Sequence, residues 1–252
     1  MTGPLELAGR SALVTGAGRR VGRAIAVRLA GAGMRVGIHY NASARGAEET
    51  LAVVRALGSD GVTLAADLSD RAAARGLVER AVDALGSLDL LVASAASFER
   101  VPLDAVDDAA WDRSLGLNLA SQFALAQAAI PELRRTRGSI VFITCSSATT
   151  PFRNYLPYVV AKGGLRQLMR VLALEVAPDV RVNAVAPGTV LPPPEFPEQS
   201  LGRITARIPL ARTGTAEDVA EAVVYLARAP FVTGHEIVVD GGRSVAAVES
   251  YG

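Results

Sequence analysis

Short runs rich in Val, Ile and Leu alternate along this chain with longer Ala/Leu/Arg segments whose apolar residues recur at helical spacing. That alternation is the pattern of βαβ units, because a crossover helix is what returns a chain to start a neighbouring parallel strand. It predicts seven strands, near Ser11 to Thr15, Arg35 to His39, Val62 to Ala66, Leu88 to Ala93, Ser139 to Thr144, Arg181 to Ala186 and Glu236 to Val239. The expected fold class is α/β, a doubly wound parallel sheet of about seven strands with helices on both faces. In such a sheet ligands bind beyond the carboxyl ends of the strands. With 252 residues, half of them hydrophobic, and no repeat or linker to divide it, residues 1–252 are expected to form a single domain.

Composition removes several classes of partner. The 26 basic and 25 acidic residues leave a formal charge of +1, so no strong field attracts nucleic acid or anionic lipid, and neither is expected to bind. No apolar stretch reaches the roughly 18 to 20 residues of a membrane span. Met1 to Arg10 lacks a charged start followed by an apolar block, so a cytoplasmic location is expected. Cys145 is the only cysteine and there are two histidines, which leaves no intrachain disulfide, no CxxC or HExxH cluster, and no expected metal.

Ser11 to Gly22 reads SALVTGAGRRVG, a buried strand running into a glycine turn, with an Ala/Leu helix predicted from Arg23 to Ala30. Gly16 can adopt dihedrals that other residues resist, and Gly22 allows close helix approach. Amides around Val21, at the helix start, can face a pyrophosphate. A glycine turn after a strand is often only a turn, but two further features favour a nucleotide. First, the second strand runs into His39, Tyr40, Asn41, Ala42 and Ser43, where an NAD-selective site would place an acid on the ribose hydroxyls, and none occurs before Glu48. Arg19 and Arg20, with Ser43 and Arg45, can hold a 2′-phosphate through charge-assisted hydrogen bonds, although solvated surface positions are the commonest fate of arginine. This predicts a Rossmann-type site for NADP(H). Second, Asp67 and Leu68 follow the third strand, where the carboxylate can accept from an adenine amino group or cap the next helix.

Leu156-Pro157-Tyr158 opens a helix predicted to run to about Val176. Tyr158 and Lys162 lie four residues apart, on one face of it, and both belong among the cofactor contacts as well as the catalytic candidates. An ammonium about 4 Å from a phenol, at an effective dielectric of about 20, is worth roughly 4 kcal/mol, or about three pKa units. Tyr158 is therefore expected to titrate near neutrality, where it can pass protons to and from a substrate oxygen. That spacing is common on helix surfaces, yet Lys162 is the only lysine among the 26 basic residues, which points to a need for a compact ammonium. The proline-rich Leu191 to Pro197, LPPPEFP, is expected to form a loop over the substrate or a plain connector.

Taken together, these residues make the whole chain resemble the short-chain dehydrogenase/reductase family. The resemblance implies a catalytic tetrad onto which Tyr158, Lys162 and Asn118, within LNLASQFAL, map directly, the asparagine holding a water behind the lysine. It also implies that Pro187, Gly188 and Thr189 contact the nicotinamide, and that the protein is a homotetramer acting on a small molecule. The TGxxxRxG turn, with Arg20 at the family's central glycine, and HYNAS at His39 to Ser43 are most similar to the pteridine reductase-like branch. Two positions depart from the family. Ala93-Ser94-Ala95-Ala96 stands where it has NNAG, so Ser94 and Ala95 keep their place beside the cofactor without the amide side chains. Cys145 lies thirteen residues before Tyr158, where the family has serine or, in pteridine reductases, aspartate. Losing one hydrogen bond to a developing oxyanion costs about 100 to 1,000-fold in turnover; Ser146 can substitute after a small shift, or Cys145 can pack as a small buried residue. The expected activity is NADPH-dependent reduction of a carbonyl or pterin C=N bond, with Tyr158 as proton donor. The alternatives are a 3-oxoacyl thioester or general ketone reductase, and an NADP(H)-binding sensor without turnover.

Overall fold

The computed structural model describes residues 3–192 and 198–246. Within them lie strands β1 (Ser11–Val14), β2 (Arg35–Tyr40), β3 (Gly61–Ala65), β4 (Leu90–Ala93), β5 (Ser139–Ile143), β6 (Arg181–Pro187) and β7 (Glu236–Val239). They form one parallel sheet in the order β3-β2-β1-β4-β5-β6-β7. Each ends within two residues of its predicted bounds. The helices are α1 (Arg20–Gly31), α2 (Ala44–Ala56), α3 (Arg71–Leu85), α4 (Asp108–Leu115), α5 (Ser121–Thr136), α6 (Leu156–Glu175), α7 (Glu198–Thr205), α8 (Ala216–Arg228) and the short α9 (Arg243–Ala246).

Successive strand side chains face opposite ways, and both ways are dry. In β4, Leu90 and Val92 join a core with α1, α2 and α8, whereas Leu91 and Ala93 join a second core with α3, α5 and α6. Burial on both faces is why these strands read as continuous apolar runs. The strand order reverses between β1 and β4, which opens the crevice where such sheets hold ligands.

Three local details depart from the sequence expectation. Helix α1 starts at Arg20, not Arg23, with Arg20 itself in the left-handed region at φ +53°. Between α4 and α5 the helix widens into a π turn, Gly116–Ala120, that carries Asn118. Residues 193–197 of the proline-rich stretch lie outside the described residues, as does the loop expected there. Among the described residues no helix is long and apolar enough to cross a membrane.

Candidate active site

The crevice begins at the glycine turn after β1. Gly16 sits at φ +68°, and a Cβ there would come within 3.1 Å of the Ala95 Cα. A Cβ on Gly22 would lie 2.3 Å from the Gly16 carbonyl oxygen, so only glycine lets α1 press onto the turn. The Thr15 hydroxyl accepts hydrogen bonds from the Ser94 and Ala95 amides, both at 2.9 Å, tying the end of β4 to the turn.

His39 is buried and faces the protein. Its Nδ1 accepts from the Gly16 amide at 3.0 Å, and its Nε2 donates to the Ala66 carbonyl at 3.1 Å. Both ring nitrogens are thus engaged by backbone, which corrects the expectation of a direct cofactor contact: His39 holds the turn. Burial depresses its pKa to about 4, the Arg80 charge adding to the effect and the Ala66 hydrogen bond opposing it.

The arginines diverge. Arg20 donates to the Leu191 carbonyl, and Arg45 pairs with Glu49, so neither is aimed at a 2′-phosphate as expected. The Arg19 guanidinium is exposed, with no hydrogen bond or ion pair among the described residues. Gly18 packs on Ser43, whose hydroxyl makes no capping bond to α2 although Ser43 is the N-cap. Tyr40 is half-buried and Asn41 exposed at the end of β2. The nearest acids are turned elsewhere: Glu48 accepts from Thr63 at 2.9 Å, and Glu49 pairs with Arg23 and Arg45. Neither α1 nor α2 carries an acid in its first turn. These features fit an anionic dinucleotide, with an anion-ready helix end, an unpaired guanidinium and a free hydroxyl nearby. Asp67 is exposed and accepts from the Ser69 amide, while Asp70 caps α3, so Asp67 is not the helix cap; Leu68 is buried.

At the end of β5 the structure brings Tyr158, Lys162 and Cys145 together. Pro157 in the first turn of α6 sets the helix start, and one face of α6 buries both Tyr158 and Lys162, which are 9% and 2% exposed. The Cys145 thiol interacts with the Tyr158 phenol. Lys162 Nζ donates to the Ile143 carbonyl at 2.8 Å and lies 5.7 Å from the centre of the Tyr158 ring. The expected drop in the tyrosine pKa is not found. Burial pushes the phenol well above its usual 10, the thiol adding to this, and burial pulls Lys162 down to about 8. Desolvation disfavours both charged forms. Cys145 is half-exposed and also accepts from the Ser147 amide at 3.4 Å; Ser146 is half-exposed, and the buried Ser147 hydroxyl has no partner.

Asn118 is fully buried in its π turn. Its side chain accepts from the Ser97 amide at 3.2 Å and donates to the Ser97 and Ser114 hydroxyls, which ties the π turn to the loop after β4 and to α4. The turn lies against α6, where a Cβ on Gly164 would come 2.9 Å from Leu119. Past β6, Pro187 ends the strand, a Cβ on Gly188 would come 2.5 Å from the Asp240 Cβ, and the Thr189 hydroxyl accepts from Arg243 at 2.6 Å. Thr189 is therefore already engaged where a nicotinamide contact was expected.

Thr15, Ser97 and Gln122 were not foreseen. Gln122 donates to the Ala95 and Leu117 carbonyls and so joins the β4 loop to the π turn. The one sequence signal was the amide of Gln122 in the segment SQFAL, four residues after Asn118.

Over residues 16–244 the chain matches the family model described as enoyl-(acyl carrier protein) reductase. It is 39% identical over 239 residues, 92% of this chain and 94% of the other, to a protein of Streptomyces violaceoruber named for ketoacyl reductase 2 of the granaticin polyketide synthase. It is 34% identical over 243 residues, 92% of this chain and 97% of the other, to the 3-oxoacyl-(acyl-carrier-protein) reductase FabG of Staphylococcus aureus. A 7α-hydroxysteroid dehydrogenase solved with NADH and 7-oxo glycochenodeoxycholic acid superposes with a TM-score of 0.88 at 29% identity, over 94% of this chain and 95% of that one.

Proposed function

The chain belongs to the short-chain dehydrogenase/reductase family, and we propose that it is an NADPH-dependent ketone reductase, built as a single domain and acting as a homotetramer. The observation that carries the proposal is the buried Tyr158 and Lys162 beside Cys145 at the carboxyl edge of the sheet, with one strand, β4, between them and a phosphate-ready turn. Arg19 and Ser43 would hold the 2′-phosphate, and the amides from Gly16 to Val21 the pyrophosphate. Bound NADPH supplies the hydride.

Tyr158 keeps its proton at neutral pH, because burial raises its pKa, so it is armed as an acid for reduction and delivers that proton to the substrate oxygen. Lys162, one turn along α6, is positioned to favour the phenolate that this leaves. Cys145 gives the same oxygen a weak second donor. Relatives named for ketoacyl and 3-oxoacyl reduction support a ketone as substrate. The pterin expectation rested on Arg20 and HYNAS, and in this fold Arg20 and His39 are turned to Leu191, Gly16 and Ala66.

The test is NADPH oxidation with acetoacetyl thioesters, ketones and dihydrobiopterin. Tyr158→Phe is expected to lose about 10² to 10⁴-fold in kcat/KM while still binding NADPH; full turnover in that variant rejects the assignment. Protection of Lys162 from reductive methylation by NADPH, without turnover of any carbonyl, would instead identify a cofactor-binding sensor.

A further inference from the structure

Four aromatic rings meet at the mouth of this site, three of them without a part in proton transfer. Phe98, in the loop after β4, stacks on Tyr155 with ring centres 4.3 Å apart and planes 13° from parallel. It meets Tyr158 edge to face at 4.9 Å and Phe152 at 6.1 Å, and Phe152 meets Tyr155 at 5.1 Å. Phe98 is the hub of the group, yet it is 60% exposed, and Phe152 is 37% exposed. The two loops that carry these rings are already joined by backbone, the Val101 amide donating to the Asn154 carbonyl at 2.8 Å beside a parallel bridge between Val101 and Tyr155. A ring present only to fasten those loops would be hidden between them. This one shows more than half its surface beside the phenol, where a substrate carbonyl must come.

Aromatic faces and edges carry opposite partial charges and select partners that are themselves flat rings, stacked or edge-on. A flexible acyl chain gains only dispersion there and gives up rotational freedom when held. We propose that Phe98 and Phe152 are the substrate-selecting wall of this enzyme, and that its ketone is carried on a planar fused-ring skeleton and not on a linear acyl chain. This rests on the reductase reading and names the substrate class of the same site.

The test compares kcat/KM for 1-tetralone and for ethyl acetoacetate in the parent, Phe98→Ala, Phe152→Ala and Phe98→Tyr proteins. The ratio cancels any general disturbance of Tyr158. The parent is expected to prefer the tetralone, and Phe98→Ala to lower the ratio at least tenfold, or about 1.4 kcal/mol. Phe152→Ala should lower it less, and Phe98→Tyr, which keeps the ring, should hold it within about threefold. A parent that prefers the acetoacetate, or a Phe98→Ala protein that loses both substrates in proportion, overturns the wall and leaves the reductase standing. If neither ketone is reduced, the reductase reading fails for them, and saturation-transfer NMR then reads tetralone binding directly: contact that Phe98→Ala abolishes supports the wall, and its absence refutes it.

Discussion

His39 shows how one buried side chain can hold a glycine turn in place. Because Nδ1 accepts from Gly16 and Nε2 donates to Ala66, only the neutral ring satisfies both partners. Protonation would turn Nδ1 into a donor facing a donor. The pKa falls from 6.5 in the unfolded chain to about 4 in the fold, so between those values the unfolded state binds more protons. Stability is fully present above pH 6.5 and is expected to fall by on the order of 3 kcal/mol as the pH drops toward 4. Urea midpoints across that range check this, and His39→Asn should flatten the slope even if it lowers the plateau. Cys145 is a second residue whose chemistry is readable one at a time. Replacing its weak thiol donor with a hydroxyl, Cys145→Ser, is expected to raise kcat for ketone reduction by up to about 100-fold. A steady-state assay that finds no gain would show that the thiol, or the unpartnered Ser147 hydroxyl beside it, already does that work.

The elements meet through glycine where they approach most closely. A Cβ on Gly22 would collide with the Gly16 backbone at 2.3 Å, so Gly22→Ala must push α1 off the turn. About 1 to 3 kcal/mol of stability should be lost, together with NADPH affinity. Gly76, inside α3, has nothing within 4 Å of its missing Cβ, and Gly76→Ala should add about 0.5 to 1 kcal/mol through helix propensity alone. Chemical denaturation of the two variants reads the contrast. The strands were legible in sequence because burial on both faces writes an apolar run, and α6 because Pro157 and its helical spacing announce it. The π turn around Asn118 was not, since LNLASQFAL keeps a helical pattern and only the packing of Leu119 on Gly164 marks where the helix widens.

For the molecule as a whole, cofactor binding and folding are one equilibrium. A ligand at a hundred times its Kd adds about 2.7 kcal/mol of stability. NADPH is therefore expected to raise Tm more than NADH at equal concentration, and Arg19→Ala to remove that difference while sparing the NADH effect; equal shifts in the parent would reject the assigned preference. The layered α/β plan, the glycine turn, the lack of an acid before Glu48 and the four-residue spacing of Tyr158 and Lys162 were all present in the sequence, because periodicity and spacing are local properties that a chain carries even unfolded. The protonation of Tyr158, Lys162 and His39, the turn of Arg20 toward Leu191, and the gathering of Phe98 with Phe152 and Tyr155 were decided by the tertiary structure. Desolvation and long-range contact depend on which distant segments close over a group, and no run of neighbouring residues states that.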